Sequence, residues 1–239
     1  MKLHELFEMA IPRESDRAKI YYHGTDTEEK AKSIMAHGLD PAKTLIKYEK
    51  NPKSNFAPQE GSVYITPHLD YAMIYAIGGN MAGHDCTRDI PRYGQFAFVF
   101  EISGRDLVDI TPDEDSIGEF LCRYWSTSDY YKNKYPEFFE KDAKLNVMRR
   151  VANLALQKLT EPQRRRIKDG ESEYWAKGGK RSLPYLSDDL KFGLIELGAH
   201  IAHKGPIKVT KCFKFDRADV IKMKKDGSNF FDYTKECEF

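Results

Sequence analysis

The sequence predicts an α+β fold: strands at both ends of the chain and a helical insertion between them. Three observations carry this. Gln95–Ile102 (QFAFVFEI) is the strongest strand signal, dense in aromatic and β-branched residues. Strand-like runs flank the chain at Ala18–Tyr22 and Ile207–Phe215, and residues at about 115–197 read as helix punctuated by Pro136, Pro162 and Pro184. The expected organisation is a single domain over 1–239 with the insertion at about 115–197. The alternative is an independent helical domain there.

Taken in order, residues 3–10 (LHELFEMA) carry Leu3, Leu6 and Phe7 at helical spacing. The strand at Ala18–Tyr22 runs straight into His23-Gly24-Thr25. In the helix that follows, Thr25 and Glu28 have capping-box spacing, and Asp26 and Glu29 suit the positive helix end. Ala31, Ile34 and Met35 form its apolar stripe, with Gly38 placed for a left-handed C-cap. A polar, proline-bearing loop at 40–60 leads to a short strand, Gly61–Thr66. Thr66 as N-cap and Pro67 at the first helical position then open a helix closed by Gly78-Gly79. Inside the insertion the helical segments are IGEFLCRYW, KLNVMRRVANLALQKL and SDDLKFGLIELGAHIA, and a last short strand is expected at Ala218–Lys222.

Composition excludes several classes. With 41% hydrophobic and 13% aromatic residues the chain can bury a core, which argues against disorder. No apolar run reaches the roughly 20 residues of a membrane span, so no membrane association is expected. The opening MKLHELFEMAIPRESD is amphipathic and contains acids, unlike a signal or transit peptide. Lys plus Arg total 38 against 37 Asp plus Glu, so no global field steers a charged partner. Cys86, Cys122, Cys212 and Cys237 lie far apart with no C-x-x-C, which argues against a zinc site and fits reduced thiols in a cytoplasmic protein. No P-loop, G-x-G-x-x-G or H-E-x-x-H is present. The acidic run at 113–115 lacks the alternation of an EF-hand and reads as an N-capping region for a helix at 116–125.

The most informative feature is a conjunction. A strand ends on His23-Gly24-Thr25 before a capped helix. Forty-one positions later, Gly61-Ser62-Val63-Tyr64-Ile65-Thr66 ends a second strand, and the next helix brings Tyr75 eleven positions after Tyr64. Glycine allows close backbone approach, and two aromatic faces beside it suit a flat ring bearing an amide. The plain alternatives are a loop histidine and two core tyrosines.

These motifs resemble the His-Tyr-Glu ADP-ribosyltransferases of the diphtheria-toxin and poly(ADP-ribose) polymerase type, whose pattern is a strand ending in His-Gly-(Ser/Thr) and a G-x-x-Y-x-(S/T/A) strand with a second tyrosine eleven residues on. The likeness covers residues 20–77. It implies two small packed antiparallel sheets and NAD as co-substrate. His23 would bond the adenine-side ribose and the Gly24 backbone would hold the carboxamide, while Tyr64 and Tyr75 would sandwich the nicotinamide; Thr25 completes the implied NAD-binding motif. The family's Glu opens a strand near the C-terminus. In this chain that slot falls on Ala199 or His200, with Glu196 three or four residues upstream, so Glu196 and His200 are the residues the resemblance assigns there. Glu196 also reads simply as a solvated helix carboxylate. Members lacking the Glu generally transfer one ADP-ribose or are inactive.

The implied function is mono-ADP-ribosyl transfer from NAD to a macromolecular acceptor, protein or nucleic acid. Rivals are an RNA 2′-phosphotransferase, which needs arginines near the His motif where only Arg17 stands, and a non-catalytic NAD or ADP-ribose binder. Glu171-Ser172-Glu173 and Ser126-Thr127-Ser128 resemble motifs of arginine-specific relatives, but neither sits in a strand context. Residues 144–168 hold eight Lys or Arg against one Glu. They are either the solvated face of a helix whose apolar side is Val147, Val151, Leu154 and Leu159, or a patch for an acidic partner. The opening MKLHELFE resembles tailed-phage proteins, which implies a phage or bacterial origin and a host-cytoplasm location.

Overall fold

A computed structural model describes residues 19–43, 61–77, 95–113, 116, 117, 120, 147–165, 188–220 and 235–239. Seven strands and four helices are named among them: β1 Ile20–Thr25, α1 Glu28–His37, β2 Ser62–Ile65, α2 Leu69–Ala76, β3 Phe96–Ser103, β4 Ile110–Pro112, α3 Val147–Lys158, α4 Asp188–Glu196, β5 Ile201–Lys204, β6 Lys211–Asp216 and β7 Lys235–Glu236. The fold is α+β with two small antiparallel sheets, one in the order β1-β3-β6-β7 and one in the order β2-β5-β4. The chain divides into two compact units. One comprises residues 11–43, 63–109 and 203–239, the other 1–10, 44–62 and 110–202.

The first unit is built on β3, the strand with the strongest sequence signal. It pairs antiparallel with β1 from Ile20↔Ser103 to Thr25↔Phe98, and with β6 from Phe96↔Asp216 to Glu101↔Lys211. Ala97, Phe98, Val99, Phe100 and Ile102 are all buried, as a near-continuous apolar run requires when both faces of a strand are covered. Ala97 and Val99 pack with Ala72, Met73, Ala76 and Ile77, whereas Phe98 and Phe100 pack with Ala31, Ile34 and Met35. Helices α2 and α1 therefore cover opposite faces of this strand.

Several boundaries differ from the sequence expectation. β1 continues through Thr25, because His23, Gly24 and Thr25 pair with Phe100, Val99 and Phe98. The α1 cap consequently moves to Thr27, whose hydroxyl accepts from the Lys30 amide, while Glu28 and Glu29 occupy the first turn. Gly38 closes α1 as expected: its φ is 78° and its N–H donates to the Ile34 carbonyl at 2.7 Å. Helix α2 begins at Leu69 rather than Pro67, since the Thr66 hydroxyl accepts from the His68 amide in a local turn. Residues 217–220 are helical rather than a strand. The segments at 3–10, 78–79, 126–128 and 171–173 lie outside the described residues.

In the second unit, α3 buries Val151, Ala152 and Ala155, and Leu159 just past its end continues the i, i+4, i+8 line of Val151 and Ala155, whereas Leu154 is 38% exposed. The apolar side is thus rotated off Leu154. Asp113 accepts from the Ser116 amide at 2.7 Å, the N-capping role expected of that acidic run. Helix α4 ends at Glu196 in a Schellman turn: Gly198, at φ 95°, donates to Ile195, and Ala199 donates to Leu194 at 2.9 Å. The chain then enters β5.

Candidate functional site

His23, Gly24, Thr25, Tyr64 and Tyr75 all fall in the first unit. Backbone direction in β1 follows from its hydrogen bonds. Successive residues of a strand point their N–H and C=O to opposite sides. Lys19 accepts from Gly104 on the β3 side, and Tyr22 exchanges bonds of 2.7 and 2.9 Å with Thr66 on the other. Odd residues of β1 therefore face β3 and even ones face away. Gly24 shares the side of Tyr22 and Thr66.

The pairing with the β2 side is a single bridge, Tyr22↔Thr66. Were the ladder to continue, Gly24 would meet Tyr64. Instead the His23 ring takes the place of a ladder bond: its Nδ1 lies 2.9 Å from the Tyr64 carbonyl oxygen. A carbonyl only accepts, so Nδ1 carries the proton and Nε2 is the lone-pair nitrogen. Burial pushes the His23 pKa below its ordinary 6.5, against a smaller upward effect of the bond to Tyr64. The imidazole is neutral at neutral pH. The Gly24 N–H and C=O remain on an open strand edge, with no hydrogen bond to either among the described residues.

Gly24 is also constrained from behind. A Cβ there would lie 2.1 Å from the Ala72 carbonyl oxygen and 3.0 Å from the Ala76 Cβ. The close approach that the sequence reserved for a ligand is made, on the Cβ side, by α2. Thr25 is buried and pairs with Phe98. In β2, Val63 and Ile65 are buried while Ser62 and Tyr64 alternate to a partly exposed face. On α2, Tyr75 is 47% exposed, and its ring leans on the buried Tyr71 with centroids 4.9 Å apart. The two hydroxyls are 3.4 Å apart. Tyr71 orients Tyr75 by the i, i+4 rule, a relation readable from the sequence once the helix is known.

Arg217 was not foreseen. It is 1% exposed; its Nη1 donates to the Ala76 carbonyl at 3.0 Å and its Nη2 to the Asp26 carbonyl. It ties the last turn of α2, beside Tyr75, to the residue after the His-Gly-Thr strand end, and places a cation at the negative end of the helix. No sequence signal marks an arginine for this task, because its partners are backbone carbonyls 141 and 191 positions away.

Glu196 and His200 belong to the other unit. Glu196 is the exposed last residue of α4. His200 is 4% exposed, immediately precedes β5, receives the Asp113 amide at its carbonyl (2.9 Å) and gives its own amide to the Ser116 hydroxyl (3.1 Å). Among the described residues no group of three or more His, Cys, Asp or Glu side chains is placed to hold a metal ion. No helix there is long and apolar enough to cross a membrane. Within the basic stretch, Arg164 donates to the Leu156 carbonyl and Arg165 pairs with Glu161. Compared with protein-family models, curated proteins and solved structures, the chain matches none.

Proposed function

We propose that the protein binds NAD at the open edge of β1 and transfers one ADP-ribose unit to a macromolecular acceptor, releasing nicotinamide. The observation that carries this reading is the Gly24 edge. One residue's N–H and C=O lie on the side of β1 away from β3, towards Tyr64, a donor and an acceptor that complement the oxygen and NH2 of a primary carboxamide. Tyr64 and the half-exposed Tyr75 supply aromatic faces for the ring bearing that amide. His23 offers Nε2 as acceptor to a ribose hydroxyl, its tautomer set by the Tyr64 carbonyl.

Few residues suffice for the chemistry. The nicotinamide of NAD is a pyridinium cation, so the electron pair of the breaking bond to ribose C1′ neutralises the ring and no general acid is needed. What remains is to hold the dinucleotide, stabilise the oxocarbenium-like ribosyl centre and admit a nucleophile that bonds C1′ and loses its proton. The sequence resemblance assigns charge stabilisation to Glu196 or His200, and both lie in the other unit. Arg217, the arginine tied to Asp26 beside the His motif, is committed to two carbonyls, which disfavours a 2′-phosphate site. A second reading, a non-catalytic binder, is favoured by the lack of a carboxylate at Ala199 and His200 ahead of β5.

Incubation with NAD labelled in the adenylate moiety, with a cell lysate as acceptor source, tests the reading. Labelled macromolecule that disappears in His23→Ala supports transfer. Binding without turnover supports the second reading, and no binding refutes both. Tyr75→Ala is expected to weaken binding by about 0.5–1.5 kcal/mol beyond the lost buried area.

A further inference from the structure

Outside the candidate site, the described residues bring two of the four cysteines together. The β6–β7 register sets Phe213 opposite Glu236 and Lys214 opposite Lys235. One step further, Cys212 faces Cys237, and the Cys237 amide donates to the Cys212 carbonyl at 2.8 Å. Both are free thiols, and Cys237 packs against the cluster that contains Cys212. Directly opposed, hydrogen-bonded residues of an antiparallel pair have Cα atoms about 5.5 Å apart, inside the range of roughly 4.4–6.8 Å that a disulfide spans.

We propose that Cys212 and Cys237 form a site for reversible disulfide closure, with a small-molecule disulfide of the glutathione type as oxidant. Cys212 is 1% exposed, whereas Cys237 is partly exposed and is the sulfur a soluble reagent reaches. The Cys237 thiolate attacks one sulfur of the oxidant, forming a mixed disulfide and expelling one glutathione thiolate. Cys212 then loses its proton, and its thiolate attacks the Cys237 sulfur and expels the second glutathione. Two protein thiols are oxidised and one glutathione disulfide is reduced to two thiols. Burial raises both pKa values, that of Cys212 further through its contact with Cys237, so closure is slow at neutral pH and quickens as pH rises.

The consequence is local. Residues 235–239 are held by a two-residue strand and by the Phe239 ring, 6.2 Å from Phe98. The segment is also joined to β6 by the Cys237–Cys212 backbone bond. The disulfide would fasten it over the cluster of Ala31, Phe98 and Phe100 beneath α1.

The test uses the full chain with Cys86→Ser and Cys122→Ser, equilibrated with glutathione disulfide in mildly alkaline buffer. Expected are the loss of two hydrogen masses, loss of both thiols to a denaturing thiol assay, a Cys212–Cys237 cross-linked peptide, and carboxypeptidase trimming that halts at residue 237. Dithiothreitol reverses all four. Cys212→Ser should instead stop at a glutathione adduct on Cys237. A persistent glutathione adduct on the parent chain, or two thiols still free at equilibrium, overturns the proposal.

Discussion

Gly24→Ala probes the packing on which the candidate site rests. Replacing a strand glycine ordinarily gains about 0.5–1 kcal/mol by restricting the unfolded chain. At Gly24 the added methyl would sit 2.1 Å from the Ala72 carbonyl oxygen, and that oxygen must withdraw beyond 3.0 Å to accept it. Backbone of α2 cannot rotate aside as a flexible side chain would, so the helix shifts as a body. Overpacking of this kind costs about 1–3 kcal/mol. Displacing α2 also strains the Arg217–Ala76 bond, of a charge-assisted class that contributes about 1.5–3 kcal/mol. A net destabilisation of about 2–5 kcal/mol follows, which lowers a urea midpoint by roughly 1–2 M. Gly193→Ala is the control: nothing lies within 4 Å of its added Cβ on α4, and removing a helix glycine should stabilise by up to about 1 kcal/mol. Circular dichroism of both variants in urea reads the difference. If Gly24→Ala unfolds at the wild-type midpoint, the tight seating of α2 on β1 is wrong.

Arg217→Met keeps the bulk but leaves the Ala76 and Asp26 carbonyls without their donor; a loss of about 2–4 kcal/mol is expected by chemical denaturation, with Arg217→Lys recovering part of it. His23 and His203 both have pKa values lowered chiefly by burial. Between those lowered values and the ordinary 6.5 the unfolded chain binds more protons, so stability should fall as pH drops below about 6.5 and level off beneath the folded values. His23→Gln should reduce that slope in a pH series of melts; an unchanged slope would remove His23 as its source. Glu196→Gln and His200→Ala should differ in rate of nicotinamide release, the larger loss marking the residue that stabilises the ribosyl cation, and equal wild-type rates would assign the role to neither.

Much of the first unit was legible in the sequence because its signals are local. QFAFVFEI is too uniformly apolar to be anything but a covered strand, and β3 lies within one residue of it. The α1 stripe of Ala31, Ile34 and Met35 and the stop at Gly38 were equally readable. Boundaries slipped where a tertiary partner outbid local chemistry. Pairing with Phe98 carried Thr25 into β1 and passed the cap to Thr27, and Thr66 is held by its bridge to Tyr22, with its hydroxyl turned onto the His68 amide instead of capping α2. The apolar pattern puts Leu154 on one side of the helix with Val151 and Leu159, but in the structure Val151, Ala155 and Leu159 are buried while Leu154 is exposed.

The sequence by itself determined the α+β class, the strand ending in His-Gly and the two tyrosines, because each is written in neighbouring residues. Only the tertiary structure decided that Gly24 is backed by α2, that its N–H and C=O lie on the side away from β3 where the pairing with the β2 side is one bridge, and that Arg217 and the Cys212–Cys237 pair exist as features at all. Those depend on which distant backbone groups meet, and no periodicity along one segment encodes the partner on another.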